Sequence, residues 1–188
     1  MRRVAATVVM VVATSFGSAQ AGGPGGPPGC TIVGTPGSDH LVGTPGDDVI
    51  CGRGGSDFIE GHRGDDHLLG GSGGDTFRAG TGTDFVSGGG RRDRMGGERG
   101  DDVLVGGLPA DLLLGGKGDD LEHGGPQTDL VYGGPGADVV RGNRGSDECL
   151  RSADGVVGND RVNGGPGMDN ANVDQDDRVR SAESLDAC

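Results

Sequence analysis

Aspartate recurs at every ninth residue along most of this chain. Written in blocks of nine from Gly34, the sequence gives thirteen blocks without a gap, ending at Leu150. The sixth position of each is Asp: Asp39, Asp48, Asp57, Asp66, Asp75, Asp84, Asp93, Asp102, Asp111, Asp120, Asp129, Asp138 and Asp147. After a four-residue insertion, 151–154, two further blocks (155–163 and 164–172) place Asp160 and Asp169 at the same position. Asp accounts for 24 of 188 residues, so composition alone cannot produce fifteen matches in fifteen. A period this regular marks stacked, repeated units rather than a layered domain.

The other positions are as constrained. The eighth is apolar in fourteen blocks: Leu41, Ile50, Ile59, Leu68, Phe77, Val86, Met95, Leu104, Leu113, Val131, Val140, Cys149, Val162 and Ala171. The exception is Glu122. Burying a carboxylate carries a large desolvation penalty, so the expectation there is a local slip that turns Leu121 inward instead. The first position is Gly except at Ala79, and the fourth is Gly except at Arg91, Pro109 and Gln127.

The block pattern G-G-x-G-x-D-x-U-x closely resembles the haemolysin-type (RTX) calcium-binding repeat family, over residues 34–172. More specifically, the chain is similar to small exported bacterial members that consist of little besides repeats. The resemblance implies an all-β fold, a right-handed parallel β-roll. The first six residues of each block would form a turn and the last three a short strand, with the eighth residue pointing inward. Two blocks complete one coil, so blocks n and n+2 stack as parallel strands about 4.8 Å apart. It also implies that the fifteen repeat aspartates are metal ligands, each Ca²⁺ lying between Asp(i) and Asp(i+18), as for Asp48 and Asp66. Calcium takes six to eight oxygens, which carbonyls of two stacked turns and two carboxylates can supply. Eleven such pairs are the ceiling for the thirteen contiguous blocks.

The two edges of such a roll differ. One carries Asp48, Asp66, Asp84, Asp102, Asp120 and Asp138, always with Gly at position four, and adds Asp47, Asp65, Asp101 and Asp119. The other carries Arg91, Pro109 and Gln127 in successive turns, with Arg92 beside Asp93. Calcium is therefore expected along the whole first edge and to fail on the second between about 88 and 132.

Composition fits a fold that needs help. There are 44 Gly, one Tyr and no Trp, and apolar residues make up 31%. Glycine loses the most backbone freedom on ordering, and so few large apolar side chains offset that poorly. Ion binding would then supply folding free energy, leaving the chain disordered in calcium-poor cytosol and folded after export. A net charge of −13 disfavours nucleic acid and anionic membranes as partners.

Residues 1–21 read as a secretory signal: Arg2 and Arg3, an apolar run from Val4 to Val12, and the small-x-small site Ala19-Gln20-Ala21. No other apolar run offers a membrane anchor. Residues 22–33 read as a Gly/Pro-rich linker and N-terminal cap, and 173–188 as a C-terminal cap. Cys30, Cys51, Cys149 and Cys188 permit three pairings. Cys30–Cys51 with Cys149–Cys188 is favoured, because each would staple one end of the array.

Asp174, Asp176 and Asp177 lack the Gly and distal Glu of an EF-hand loop. His40, His62, His67 and His123 lack zinc-site spacing and read as turn and surface residues. Outward columns (Val49, Phe85, Val103, Leu121 and Val139; Phe58, Leu112 and Leu130) suit either ordinary β-propensity or a partner surface. No catalytic motif or room for a catalytic domain is evident. The expectation is a secreted, non-enzymatic calcium-binding surface or matrix protein. A calcium-dependent adhesion or glycan-binding module, or self-association through the strand faces, is the alternative.

Overall fold

A computed structural model describes residues 20–21, 29–151, 160–172 and 178–180. The chain winds between two sheets. The first contains β1 (Gln20–Ala21), β2 (Ile32–Val33), β4 (Val49–Gly54), β6 (His67–Ser72), β8 (Phe85–Gly90), β10 (Val103–Leu108), β12 (Leu121–Pro126), β14 (Val139–Arg144), β16 (Arg161–Asn163) and β18 (Arg178–Arg180), in that order. The second contains β3 (His40–Val42), β5 (Phe58–Arg63), β7 (Thr76–Thr81), β9 (Arg94–Arg99), β11 (Leu112–Lys117), β13 (Leu130–Tyr132), β15 (Glu148–Arg151) and β17 (Ala171–Asn172). Every described pairing is parallel except β1 with β2. Among the described residues there is no helix, so none is long and apolar enough to cross a membrane.

The fold is the expected β-solenoid, with about seven coils. Register is n to n+18 along the contiguous blocks, as Ile50 pairs with Leu68, Leu68 with Val86 and Val86 with Leu104, until it shifts between Leu130 and Tyr132 where β13 meets β15. The position-eight side chains form the core, Leu41, Ile50, Ile59, Leu68, Leu104 and Leu113 being fully buried. Side chains alternate across a strand, so this register fixes every inward residue at once.

Three expectations need correction. Most strands are six residues long, not three, because positions one to three of the next block also pair: Arg53 with Gly71 and Gly54 with Ser72. The turn proper is only positions four to six. At position four the backbone turns left-handed, as at Gly55 (φ 100°), Gly64 (φ 109°) and Gly100 (φ 125°). Arg91 (φ 76°) and Gln127 (φ 87°) are held in that same region despite their side chains.

The slip at Glu122 does not occur. Glu122 pairs with Leu104 and Val140 and is fully buried, while Leu121 stays half-buried on the outer face. Both neighbouring strands fix the register of β12, and a one-residue slip would reverse all its side chains.

The histidines lie on strands rather than in turns: His40 in β3, His62 in β5, His67 in β6 and His123 in β12. Two of them stack outside the roll, His40 on Phe58 at 5.0 Å and His67 on Phe85 at 5.5 Å between ring centroids.

The ends are partly described. Cys30 and Cys51 form a disulfide, tying the entry segment to β4. The pairing of Cys149 with Cys188, the signal segment before Gln20 and most of the insertion lie outside the described residues. Within the segment read as a C-terminal cap, β18 adds one more parallel rung against β16, pairing Val162 with Val179.

Candidate metal centre: two ladders of aspartate

The position-six aspartates sit where the chain leaves the turn, and their side chains fold inward. All fifteen are buried, none more than 6% exposed. In thirteen of them the backbone N–H donates to the Oδ1 of the aspartate one coil further on. On one edge Asp48 donates to Asp66, Asp66 to Asp84, Asp84 to Asp102, Asp102 to Asp120 and Asp120 to Asp138, at 2.8–3.0 Å. On the other, Asp39 donates to Asp57 and the chain of bonds continues through Asp75, Asp93, Asp111 and Asp129 to Asp147, at 2.7–2.9 Å. Across the insertion, Asp138 donates to Asp160 and Asp147 to Asp169. The structure thus stacks all fifteen predicted residues in two unbroken ladders. The 22-residue step across 151–154 leaves the order intact.

One oxygen of each carboxylate beyond Asp39 and Asp48 is used in this way; Asp48 Oδ1 accepts from the Thr31 hydroxyl instead. The second, Oδ2, is buried and has no hydrogen-bond partner in Asp57, Asp66, Asp75, Asp84, Asp93, Asp102, Asp111, Asp120, Asp129, Asp147 and Asp169. An unsatisfied buried carboxylate oxygen is costly, so a row of them calls for protons or cations.

The first two blocks differ. Thr35 N–H and Oγ1 donate to Asp39 Oδ2 at 2.5 and 3.0 Å, and Thr44 N–H and Oγ1 to Asp48 Oδ2 at 2.6 and 2.8 Å. A threonine at position two already satisfies what later blocks leave open.

The glycine at position one explains the shape of each corner. A Cβ on Gly52 would lie closer than 3.0 Å to both Asp57 Oδ2 and the carbonyl oxygen of Gly70 in the next coil. The same pair of oxygens recurs at Gly97 (Asp102 and Gly115) and Gly106 (Asp111 and Gly124). At these corners a carboxylate oxygen and a carbonyl oxygen lie so close to the glycine that a side chain would collide with both. Hard oxygens of this kind, without nitrogen or sulfur, suit calcium. The residues present fit the ion that the repeat implies.

Electrostatics agree. Burial pushes the carboxyls of Asp57, Asp66, Asp111 and Asp147 up to about 6, and those of Asp93, Asp102, Asp120 and Asp129 up to about 7. The amide bond to each carboxylate lowers it in part, and stacked neighbours, as Asp75 and Asp39 around Asp57, raise it further. Desolvation and like charge both oppose a second negative charge here.

A feature the sequence pattern did not yield is a second, outer ladder on the edge that carries paired aspartates. Asp65 N–H donates to Asp47 Oδ1, Thr83 N–H to Asp65 Oδ1, Asp119 N–H to Asp101 Oδ1 and Ala137 N–H to Asp119 Oδ1, at 2.8–2.9 Å. Its bonds run in the opposite sense to the inner ladder, so carboxylates face that edge from both sides. The other edge has Ser56 N–H on Ser38 Oγ instead, and the Arg92 guanidinium on the Ala110 carbonyl at 3.1 Å. The inner ladder itself passes Arg91, Pro109 and Gln127 without interruption.

The profile of the RTX calcium-binding nonapeptide repeat (four copies) matches residues 33–68, 52–86, 60–95, 69–104, 87–122 and 123–149. No curated protein matches the chain.

Proposed function

Because the chain belongs to the RTX calcium-binding nonapeptide repeat family, we propose that it is an exported, non-enzymatic calcium-binding protein whose roll orders when its corners are loaded. The observation that carries this reading is the set of buried Oδ2 oxygens without a partner, those of Asp57, Asp66, Asp102, Asp111 and Asp147 among them, each beside a carbonyl oxygen of the neighbouring coil at a position-one glycine. Calcium supplies the positive charge and the oxygen-binding capacity that these groups lack among themselves.

The chain's own part follows from its geometry. The Asp(i) amides hold the carboxylates one coil ahead by Oδ1, which leaves Oδ2 pointing into the corner. The position-one glycines keep that corner open. The apolar column seals it from the inside, so the carboxylates sit where electrostatic interactions are strong. With the core limited to one inward side chain per block, much of the stability resides in the corners, and binding and folding become one equilibrium.

The test is to dialyse the chain lacking 1–21 against a range of free calcium and count bound metal by atomic emission. Several ions per chain are expected, with occupancy rising over the range of extracellular modules, Kd of about 10⁻⁴–10⁻³ M. Export is tested separately, by fractionating the source cells and sequencing the N-terminus of the extracellular form, expected to begin at Gly22.

A second reading is adhesion through the outer strand faces. Phe58 stacks against His40, and the Arg78 guanidinium lies 5.6 Å from the Phe58 ring centre, beside the exposed Leu114. Aromatic and guanidinium groups on an open sheet suit a sugar ring. Glycan arrays with and without calcium test it.

A further inference from the structure

Glu122 breaks the apolar column, and its surroundings point to more than a tolerated defect. It is fully buried, and neither carboxylate oxygen has a hydrogen-bond partner. The side chain reaches back from β12 into the corner of its own block. The three atoms nearest the point where a Cβ on Gly115 would sit are Glu122 Oε1, Asp120 Oδ2 and the Gly133 carbonyl oxygen, all closer than 3.0 Å to it. The corresponding points at Gly97 and Gly106 are faced by one carboxylate and one carbonyl oxygen. Here a second carboxylate joins them.

We propose that Glu122 Oε1 joins Asp120 Oδ2 and the Gly133 carbonyl as an added ligand for the hard divalent cation of this corner, calcium by its all-oxygen donors. The inference rests on the calcium-binding reading above and adds a ligand that the nonapeptide pattern does not contain.

Three physical points support it. Asp120 Oδ2 and Glu122 Oε1 are both buried without a partner beside the same Gly133 carbonyl, so a positive ion at this corner relieves two carboxylates at once. A cation between two carboxylates also removes the desolvation penalty that otherwise makes a glutamate the worst occupant of a column filled by Leu, Val and Ile. Finally, the two neighbouring strands hold Glu122 in register between Leu104 and Val140, so its carboxylate is fixed at this corner.

The test compares the full chain with Glu122→Gln and Glu122→Leu. Bound calcium is counted by atomic emission across a free-calcium series, and circular dichroism in saturating calcium checks that the strands are retained. Leu is a residue the column already accepts, and Gln preserves the shape of Glu, so both variants are expected to fold. The expected result is an unchanged ion number with one ion weakened at least tenfold in Glu122→Leu and in Glu122→Gln. Unchanged affinity for every ion in Glu122→Leu would overturn the proposal. If the unaltered chain bound no calcium at all, the broader reading would fail with it, so the two failures are distinguishable.

Discussion

The amide of Asp102 donates to Oδ1 of Asp120, eighteen residues on, at 2.8 Å, and Asp120 Oδ2 is left buried with no partner. One half of the carboxylate holds the coils in register and the other half points into the corner beside the Gly133 carbonyl. This division, repeated along both edges, couples the geometry of the roll to ion binding.

The two edges are expected to respond differently to the loss of a carboxylate. Asp102 has the outer ladder of Asp101 and Asp119 beside it, whereas Asp111 has the Arg92 guanidinium, whose charge pulls its carboxyl down. Asp102→Ala is expected to release more calcium than Asp111→Ala, and to raise the free calcium needed for folding several-fold further. Ion counts and folding midpoints for both variants check this; equal losses would contradict the asymmetry.

Gly97, at position one of the Asp102 corner, is expected to resist replacement where the neighbouring Gly96 does not. Gly97→Ala would drive its methyl group against Asp102 Oδ2 and the Gly115 carbonyl, whereas at Gly96 the nearest atom is the Phe77 carbonyl, 3.8 Å away. Overpacking of this kind typically costs about 1–3 kcal/mol. Gly96→Ala is expected to stay within about 0.5 kcal/mol of the parent. Thermal or urea unfolding in saturating calcium compares them.

Protons are expected to substitute partly for the ion. In the ion-free roll the inner carboxyls are pushed up from 3.8 to about 6 or 7, mainly by burial. Between those values the folded state holds protons that the unfolded chain has released, so stability falls as pH rises from about 4 to 7. Metal-stripped protein is expected to show more strand at pH 4.5 than at pH 8. Circular dichroism across that range checks the direction, and an ion-free roll that became more stable with rising pH would contradict it.

The N-terminal staple is expected to matter locally. Cys30–Cys51 closes a loop of 21 residues, for which chain entropy suggests about 3 kcal/mol. Replacing both cysteines by Ser is expected to lower the protection of amides in β2 and β3 against hydrogen exchange while leaving those of β10 and β11 nearly unchanged.

Much of this was legible in the sequence. An uninterrupted nine-residue spacing marks which residues recur, and the family resemblance it carries implied the Asp48–Asp66 relationship, the parallel pairing of alternate blocks and the inward column. The Cys30–Cys51 bridge followed from where the array begins. Periodicity says nothing about which oxygen of a carboxylate bonds to which amide, so the opposed senses of the Asp47 and Asp48 ladders were hidden. The six-residue strands were hidden too, because Gly and Arg at positions one to three have no strand signature of their own and pair only because the next coil lies alongside. Glu122 was misjudged because a desolvation argument for one side chain was set against no estimate of what a slip would do to the whole of β12. Its two neighbouring strands outweigh it.

The most direct test is far-ultraviolet circular dichroism of residues 22–188, stripped of metal at pH 7.5 and titrated with Ca²⁺ or Mg²⁺. The account predicts little strand signal without metal, a cooperative rise to full strand content with calcium, and a far weaker response to magnesium, which prefers fewer and tighter ligands and keeps its waters. A metal-free chain with the same strand content and melting temperature as the calcium-loaded one would contradict it.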